Sequence, residues 1–497
     1  MIENICKENY VKRTGLIISV IILYSSLVFG ETPAELTERL AQETPALKHA
    51  QWSVYAMYAD NGEIIIDHHS DESLAPASGL KLVTTAASLL ELGENFQFKT
   101  ELAYRGDINW RGVLKGDLVV IGGGDPVLGS DWLKSAIQMD SLKVMLVQAV
   151  KKAGIQSVKG DLILDVSIFD DQVLPDDWVW TDIGNYYGAG VWGLNLANNL
   201  YHLTFRPGEK PGDPAPVIGL SPHIPGLSFV NHMKTGPEGS GDQGYIYCPP
   251  RGKTAFLRGT VPAGFEDFTI RGSIPNPPEW MGHWLKEALM RAGIEIQGKI
   301  RVTGTPVDRD GLHSLLIIPS PPLREIIGVT NKRSVNLFTE VLLKMTALHH
   351  SGESSTAEGT RVIRDIFTNR GLVLDGFRMK DGSGLSRTNM VRTSHFAHIL
   401  AYMSRTPLAQ TYMESFSLCG SDEEPGWLKN FGRGTPVEMN ARIKTGYIEA
   451  VRSHSGYVSS RSGRLITFSM MCNNFTSSTE PINEAHEKIV IALAEMP

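Results

Sequence analysis

Three short stretches of this chain carry residue types that can do chemistry together. Ser78-Gly79-Leu80-Lys81 sets a lysine three residues after a serine, Ser334-Val335-Asn336 pairs a second serine with an asparagine, and Lys444-Thr445-Gly446 joins a lysine, a hydroxyl and a glycine. A serine hydroxyl is a poor nucleophile until a base takes its proton. No histidine and aspartate pattern offers that base here, which leaves a lysine. Residues three apart share one helix face, so the Lys81 amine can reach Ser78. An amine becomes a base near neutral pH only when its pKa falls, and burial beside a second cation lowers it. Lys444 is the expected second cation. A serine at a helix start also keeps its own backbone N–H free to meet a developing oxyanion. Lys444 and Thr445 on a strand edge can bind a substrate carboxylate, and Gly446 is expected to let a substrate backbone approach closely. Each pattern alone recurs by chance; all three, in this order and in suitable local structure, point to acyl transfer through a serine ester.

A second Lys-Thr-Gly occurs at Lys234-Thr235-Gly236. It precedes Ser334 and runs into Pro237-Glu238-Gly239-Ser240-Gly241, a composition that argues against a strand. Lys234 is therefore expected in a loop, and the site is assigned to Lys444.

The elements that must hold these residues follow from periodicity and turn chemistry. Asn61-Gly62 between two apolar runs predicts a hairpin over 53–67. Leu80, Val83, Ala87 and Leu90 recur at helical spacing, so 78–92 is a predicted helix, with Pro76 and Ser78 at its start. Gly116 to Ile121 reads as a buried strand ended by Gly122-Gly123-Gly124-Asp125-Pro126, a turn rather than a dinucleotide loop. An internal echo follows: Ala153-Gly154-Ile155 then Gly160 to Leu164 is similar to Ala292-Gly293-Ile294 then Gly298 to Val302, each a helix, a glycine stop and a strand. Two copies around one region predict an insertion that leaves and returns. The Pro- and Gly-rich texture between them predicts loops or a small β-rich unit. The chain is then helical to about Arg405. Strands are expected over 441–448, 453–460 and 465–472, and a closing helix over 481–496.

The 497 residues are 42% apolar and 20% charged with a net charge of −7. This is globular composition, enough for two to four domains, and too mildly acidic to argue for a nucleic-acid or acidic-membrane partner. Lys7, Lys12 and Arg13 precede an apolar run from Leu16 to Phe29 that closes on Val28-Phe29-Gly30. This pattern predicts an export signal cleaved near Gly30, the run being short for a membrane span. Cleavage would remove Cys6 and leave Cys248, Cys419 and Cys472, with a Cys419–Cys472 bridge open. The pairs His68-His69 and His349-His350 lack metal-ligand spacing, so no metal or other cofactor is expected.

The chain resembles the class C low-molecular-mass penicillin-binding proteins, the D-alanyl-D-alanine carboxypeptidase/endopeptidase family. The resemblance rests on Pro76-Ala77-Ser78 with Lys81 to Thr85, Gly116-Asp117-Leu118 with Gly122 to Pro126, Asp381-Gly382-Ser383-Gly384-Leu385-Ser386, and Ser455-Gly456-Tyr457 after the Lys-Thr-Gly strand. It implies an α+β fold in which a penicillin-binding, β-lactamase-like transpeptidase domain (31–99 and 312–497) is split by a mixed α/β insert (100–311). That insert would have two subdomains, the inner one β-rich at about 205–275. It also implies action on peptidoglycan stem peptides, acylation by β-lactam antibiotics, and a periplasmic or cell-envelope location. Ser78 would be acylated, Lys81 would be general base and Ser334 would relay protons. Asn336 would hold the substrate amide, and the N–H groups of Ser78 and Tyr447 would form the oxyanion hole. Trp178, Asp182, Tyr187 and Ala189 match a spaced W-x3-D-x4-Y-x-A pattern that resembles one in the family's insert. There the acid meets the amine of the third stem residue, so Asp182 and Tyr187 are substrate-binding candidates; the alternative for Asp182 is an exposed loop acid. Gly79 stands where threonine is usual and Tyr447 where a small hydroxyl is common. A serine β-lactamase or esterase with the same nucleophile is the alternative function. Neither the balance of carboxypeptidase and endopeptidase action nor the oligomeric state is readable.

Overall fold

The structure is a computed structural model that describes residues 31–424 and 426–497; the expected export segment and Cys6 lie outside the described residues. Helix α1 (Pro33–Glu43) starts at a capping box: Glu35 N donates to Thr32 Oγ1 at 3.2 Å while Thr32 N donates back to the Glu35 carboxylate at 2.9 Å. The predicted hairpin is β1 (Gln51–Tyr58) and β2 (Ile64–His68), with Gly62 at φ +76° in its turn. The predicted helix at 78–92 opens with a tighter 3-10 turn, Ala77–Leu80, before α2 (Lys81–Leu92), which stops at Gly93 with φ +80°.

The insert begins with a second hairpin, β3 (Lys99–Ile108) and β4 (Val113–Ile121). Helix α3 (Met139–Lys152) leads to β5 (Ser157–Val158) and β6 (Leu162–Asp165). Seven strands follow: β7 (Leu200–Phe205), β8 (Val217–Ser221), β9 (Ser228–Asn231), β10 (Lys234–Gly236), β11 (Gln243–Tyr247), β12 (Thr254–Pro262) and β13 (Phe268–Ser273). Helix α4 (Pro277–Arg291), β14 (Glu295–Ile296), β15 (Ile300–Thr303) and β16 (Leu312–Pro319) complete it. The echo seen in the sequence is a pairing. Strand β14 lies parallel to β5 and β15 parallel to β6, Ile300 facing Leu162 and Glu295 facing Ser157. Gly154 and Gly293, at φ +80° and +85°, release the two helices at equivalent points. Two similar units side by side thus build a seven-stranded sheet with β3, β4 and β16. Because β16 pairs with β3, this sheet runs on to Pro319, past the return point expected at 312. The region between the copies forms two small sheets, β13-β7-β8 and β10-β12-β11 with β9 on β12.

One expectation fails here. Lys234-Thr235-Gly236 is a strand, β10, paired in parallel with β12. The proline and glycines that argued against it lie just beyond Gly236, in the turn that ends the strand. Lys234 itself is exposed on that short strand.

The chain then runs through α5 (Leu323–Lys332), α6 (Asn336–Ser351), α7 (Thr356–Thr368), α8 (Thr393–Met403) and α9 (Ala409–Glu414). It ends with β17 (Ser417–Leu418), β18 (Arg442–Ile448), β19 (Val451–Ser459), β20 (Leu465–Asn473) and α10 (Glu480–Glu495). These strands join the first hairpin in a six-stranded sheet ordered β17-β18-β19-β20-β1-β2. One face of that sheet packs on α1 and α10 through Trp52, Val54, Phe468, Ile482 and Ile489. A second core holds α2, α5 and α6 together through Leu82, Val83, Leu89, Ile326, Phe338 and Val341. Each such side chain contributes about 1.5–3 kcal/mol by leaving water, which is what fixes a helix this apolar in place. Cys248, Cys419 and Cys472 are buried free thiols, so the open Cys419–Cys472 bridge is not formed. No helix among the described residues is long and apolar enough to cross a membrane.

Candidate active site

Ser78 sits in the 3-10 turn that feeds α2, and Lys81 is the first residue of the helix proper. In this tight turn residues three apart eclipse one another. The Lys81 Nζ donates to Ser78 Oγ at 2.9 Å, to Asn336 Oδ1 at 2.6 Å and to the Ser383 carbonyl at 2.8 Å. Its side chain is fully buried, and that burial lowers its pKa to about 7 against the opposing pull of Asp381 and Glu340. Burial alone drives the shift; the expected second cation is not among its causes. The influence runs the other way. Lys444 is pushed well below the ordinary lysine range by burial first, then by Lys81 and Arg452. Two buried amines close together cannot both hold a charge cheaply.

Lys444, on β18, donates to Ser334 Oγ at 3.1 Å and to the Thr445 carbonyl at 2.6 Å. Ser334 is placed by the break between α5 and α6, where it adopts φ +57°. That left-handed conformation is uncommon for a residue with a Cβ and costs on the order of 1–3 kcal/mol. It turns the hydroxyl toward Lys444. The three motifs are therefore brought together as a chain: Ser78 to Lys81, Lys81 to Asn336, and Ser334 to Lys444.

Gly446 also answers a need within the protein. A Cβ there would lie 2.3 Å from Ser453 Oγ, 2.7 Å from Gly79 N and 2.7 Å from the Pro76 carbonyl. The backbone that comes close within the protein is the turn that carries Ser78, because β18 packs directly on residues 76–79. Ser453 Oγ ties this contact by donating to Pro76 O at 2.7 Å. The same serine explains Gly79: a Cβ at 79 would stand 2.8 Å from Ser453 Oγ and 3.2 Å from Phe396. The usual threonine would need both to shift.

The 381–386 loop is locked by two buried acids. Glu340 accepts from Gly382 N at 2.9 Å and Ser383 N at 2.7 Å; burial, then the nearby Asp381, push its carboxyl above the usual carboxylate range. Asp381 accepts from Gly384 N, Ser386 N and Asn389 Nδ2, and from Trp178 Nε1 at 2.8 Å. Trp178 thus anchors the insert to the loop that holds Lys81. Asn336 adds a second anchor, its Nδ2 donating to the Tyr187 carbonyl at 2.8 Å. Its Oδ1 accepts from Lys81 and one of its two Nδ2 hydrogens goes to the insert, which leaves the second N–H without a partner among these contacts.

The insert closes over a cavity of about 690 Å³ lined by Ser78, Asp182, Tyr187, Ser334, Asn336, Arg387, Thr445 and Tyr447. Asp182 is only 8% exposed, which rules out the exposed loop acid. Burial raises its pKa, opposed by the Arg387 charge and the Tyr187 hydroxyl. Burial likewise raises Tyr187, with Asp182 next in effect. Tyr447 is 57% exposed at the mouth. Sequence reasoning missed Arg387, Arg333, Tyr186, Tyr245 and Glu340. Glu340 was findable, standing four residues after Asn336 in an otherwise apolar helix stretch. Tyr245 lies on a short strand of the inner β-rich region and gave no signal.

The model of the D-Ala-D-Ala carboxypeptidase 3 (S13) family matches residues 33–496. A D-alanyl-D-alanine carboxypeptidase of Actinomadura sp. (strain R39) is 30% identical, covering 97% of this chain and 90% of that protein. The D-alanyl-D-alanine carboxypeptidase DacB of Haemophilus influenzae is 26% identical over 84% of each chain. Among solved structures, penicillin binding protein 4 from Haemophilus influenzae superposes with a TM-score of 0.80 at 23% identity, covering 93% of this chain and 99% of that one. The same protein complexed with a β-lactam gives a TM-score of 0.76 at 23% identity, with the same coverage.

Proposed function

The chain belongs to the D-Ala-D-Ala carboxypeptidase 3 (S13) family and is a serine-type D-alanyl-D-alanine carboxypeptidase with an α+β penicillin-binding fold, and from that premise we propose the following division of labour. Ser78 is the nucleophile and Lys81, in its neutral form, the general base. The Ser78 hydroxyl attacks the carbonyl carbon of the penultimate D-alanine as its proton passes to Lys81. The C–N bond then breaks, and the terminal D-alanine leaves with a proton returned through Lys81 or the Ser334–Lys444 pair. Water hydrolyses the ester. The backbone N–H groups of Ser78 and Tyr447 hold the oxyanion, and Thr445 binds substrate beside them. Asn336 positions Lys81 and the substrate amide. Asp182 and Tyr187 receive the amine end of a diamino third residue. The observation that carries this reading is the 2.9 Å contact between Ser78 and a buried lysine whose pKa is lowered to about 7.

The same machinery suits cleavage of cross-links, where the leaving amine belongs to a second stem peptide. The chain divides into a catalytic domain and an insert that leaves it near residue 99 and, because β16 pairs with β3, returns after Pro319 rather than at 312. Residues 1–30 direct export to the periplasm or cell envelope. The test is covalent labelling with a fluorescent penicillin, read by intact mass. Wild-type protein is expected to gain one stable label and Ser78→Ala none, with unchanged circular dichroism. Label retained on Ser78→Ala would refute the nucleophile, and rapid release from the wild type would favour a β-lactamase.

A further inference from the structure

The small sheet β10-β12-β11, with β9 on β12, turns one face to the core and the other to solvent. Alternation along the strands sets this division. Ile246, Ala255 and Leu257 are buried, whereas Tyr245, Phe256 and Arg258 are exposed. Register gathers the outward side chains. Tyr245 faces Arg258 and Tyr247 faces Phe256 across β11 and β12, and Phe256 faces Val230 on β9. Trp180, from the stretch that carries Asp182, joins them. Its ring centroid lies 5.9 Å from that of Tyr247, which stands 6.4 Å from Tyr245. Trp180 is 52% exposed and Phe256 43%. Contiguous exposed rings on a protein surface mark a site of interaction.

This face is fastened to the wall of the catalytic cavity. Ile246 N donates to Asn185 Oδ1 at 3.0 Å. Gly184, at φ +104°, lets the 182–185 loop lie against β11, since a Cβ there would stand 2.3 Å from the Ile246 carbonyl. Tyr245 lines the cavity with Asp182 and Tyr186, so the rings run outward from its mouth. The Arg271 guanidinium stands 4.2 Å from the Tyr186 ring, and that of Arg258 5.6 Å from the Tyr247 ring. Lys234, paired with Thr260 in the same outward row, adds a further donor. Flat apolar rings interleaved with cationic N–H donors suit a ligand that is apolar on its broad faces and polar at its rim. A pyranose is such a ligand: its axial C–H bonds make an apolar face, and its hydroxyl and acetamido groups make the rim.

We propose that this aromatic face binds the glycan strand from which the stem peptide hangs, a chain of N-acetylated amino sugars. The inference rests on the proposed placing of the third stem residue at Asp182. The residues before it then leave the cavity past Tyr186 and Tyr245. A few residues of extended chain, at about 3.3–3.6 Å each, separate the third residue from the sugar. Trp180 stands two positions from Asp182, within that reach. The cavity thus reads the peptide while the inner β-rich region of the insert holds the polymer.

The experiment compares kcat/KM for release of D-alanine from a free stem pentapeptide and from the same pentapeptide borne on a short glycan strand. Wild type, Trp180→Ala, Trp180→Phe, Phe256→Ser and the Trp180→Ala/Phe256→Ser pair are measured, each after penicillin acylation has reported on Ser78. The wild type is expected to favour the glycan-borne peptide by roughly tenfold, the loss typical of truncating one aromatic anchor. Trp180→Ala and Phe256→Ser should each lose most of that advantage with the free-peptide rate unchanged, and Trp180→Phe, which keeps a stacking ring, should lose less. Cosedimentation with glycan strands stripped of peptide should rank the proteins in the same order. Equal wild-type rates on the two substrates, or a preference that survives in the paired variant, overturns the proposal. Equal loss on both substrates does so too, making the rings a wall of the cavity. A wild-type dimer in sedimentation velocity that Phe256→Ser dissociates would assign the face to a second copy and likewise overturn it. A wild type that takes no penicillin label would refute the Ser78 reading instead, and the stripped-strand measurement alone would then decide this inference.

Discussion

Lys81 shows how burial can ready a single side chain for the proposed role of base. Its amine has three oxygen partners within the protein, and burial brings its pKa to about 7 even though two carboxylates pull it up. The sign of the consequence follows. Below about pH 7 Lys81 is protonated and cannot accept the serine proton; above it the amine is free. The rate of acylation by a neutral-side-chain penicillin is therefore expected to climb about tenfold per unit below pH 7 and to level off above it, as stopped-flow measurement across pH 5 to 9 would record. A rise centred near the ordinary lysine pKa would mean that Lys81 stays charged and that another group takes the proton. Gly79 and Gly446 act at the same scale by what they lack: neither position has room for a Cβ against Ser453.

At the scale of elements, α6 is the part that assembles the site. Asn336, Glu340 and Lys344 follow at intervals of four on one buried stripe. Asn336 holds Lys81 and the insert's turn, Glu340 holds the N–H groups of Gly382 and Ser383, and Lys344 is paired with Asp170 and donates to the Gln172 carbonyl at 2.6 Å. One helix face thus fastens Lys81, the loop beneath it and the insert. Glu340→Ala leaves two buried N–H groups without acceptors, each costing about 1–3 kcal/mol. Denaturant unfolding should show a loss of roughly 2–6 kcal/mol. Acylation should slow more than tenfold as the Ser383 carbonyl leaves Lys81. Full activity with lowered stability would limit Glu340 to support of the fold.

Across the whole molecule, the insert is part of the active site. Trp178 and Tyr187 fasten it to the catalytic loop and to Asn336, and Asp182 closes the cavity opposite Arg387. Asp182→Asn should lower kcat/KM for an amine-bearing stem peptide by roughly ten- to a hundredfold, while acylation by a simple penicillin scarcely changes. Equal loss on both substrates would make Asp182 a structural residue. On the far face of the main sheet, Trp52 Nε1 donates to His486 Nε2 at 2.9 Å, and the His486 and His454 Nδ1 atoms lie 2.7 Å apart. Burial lowers the pKa of His486 to about 3 and that of His454 well below the usual value. A histidine near 6.5 unfolded and about 3 folded contributes stability that is complete above pH 6.5 and drains away as pH falls toward 3. In His486→Gln the dependence of unfolding free energy on pH between 6 and 4 should be shallower by about 1.4 kcal/mol per unit than in wild type. Identical slopes would show that His486 is already protonated in the fold.

The sequence by itself determined the motifs and the elements that bear them. The Ser78 turn and helix, the strand of Lys444, the first hairpin and the repeated helix–glycine–strand unit all follow from local rules: periodicity, glycine stops and turn residues. These act over a few positions and need no partner, so they are legible in one dimension. The tertiary structure decided what depends on contacts between distant segments. Burial, not a second cation, sets Lys81, because desolvation is a property of everything packed around it. Gly446 serves the close approach of residues 76–79, more than 360 positions away, as the spacing of Ser453 from Pro76 (377 positions) indicates. Lys234 became a strand because β12 was there to pair with it. Arg387 and Tyr245 came to the cavity through register and packing, for which no local pattern exists. Chemistry at this site is therefore written in short motifs, and its tuning is supplied by long-range burial.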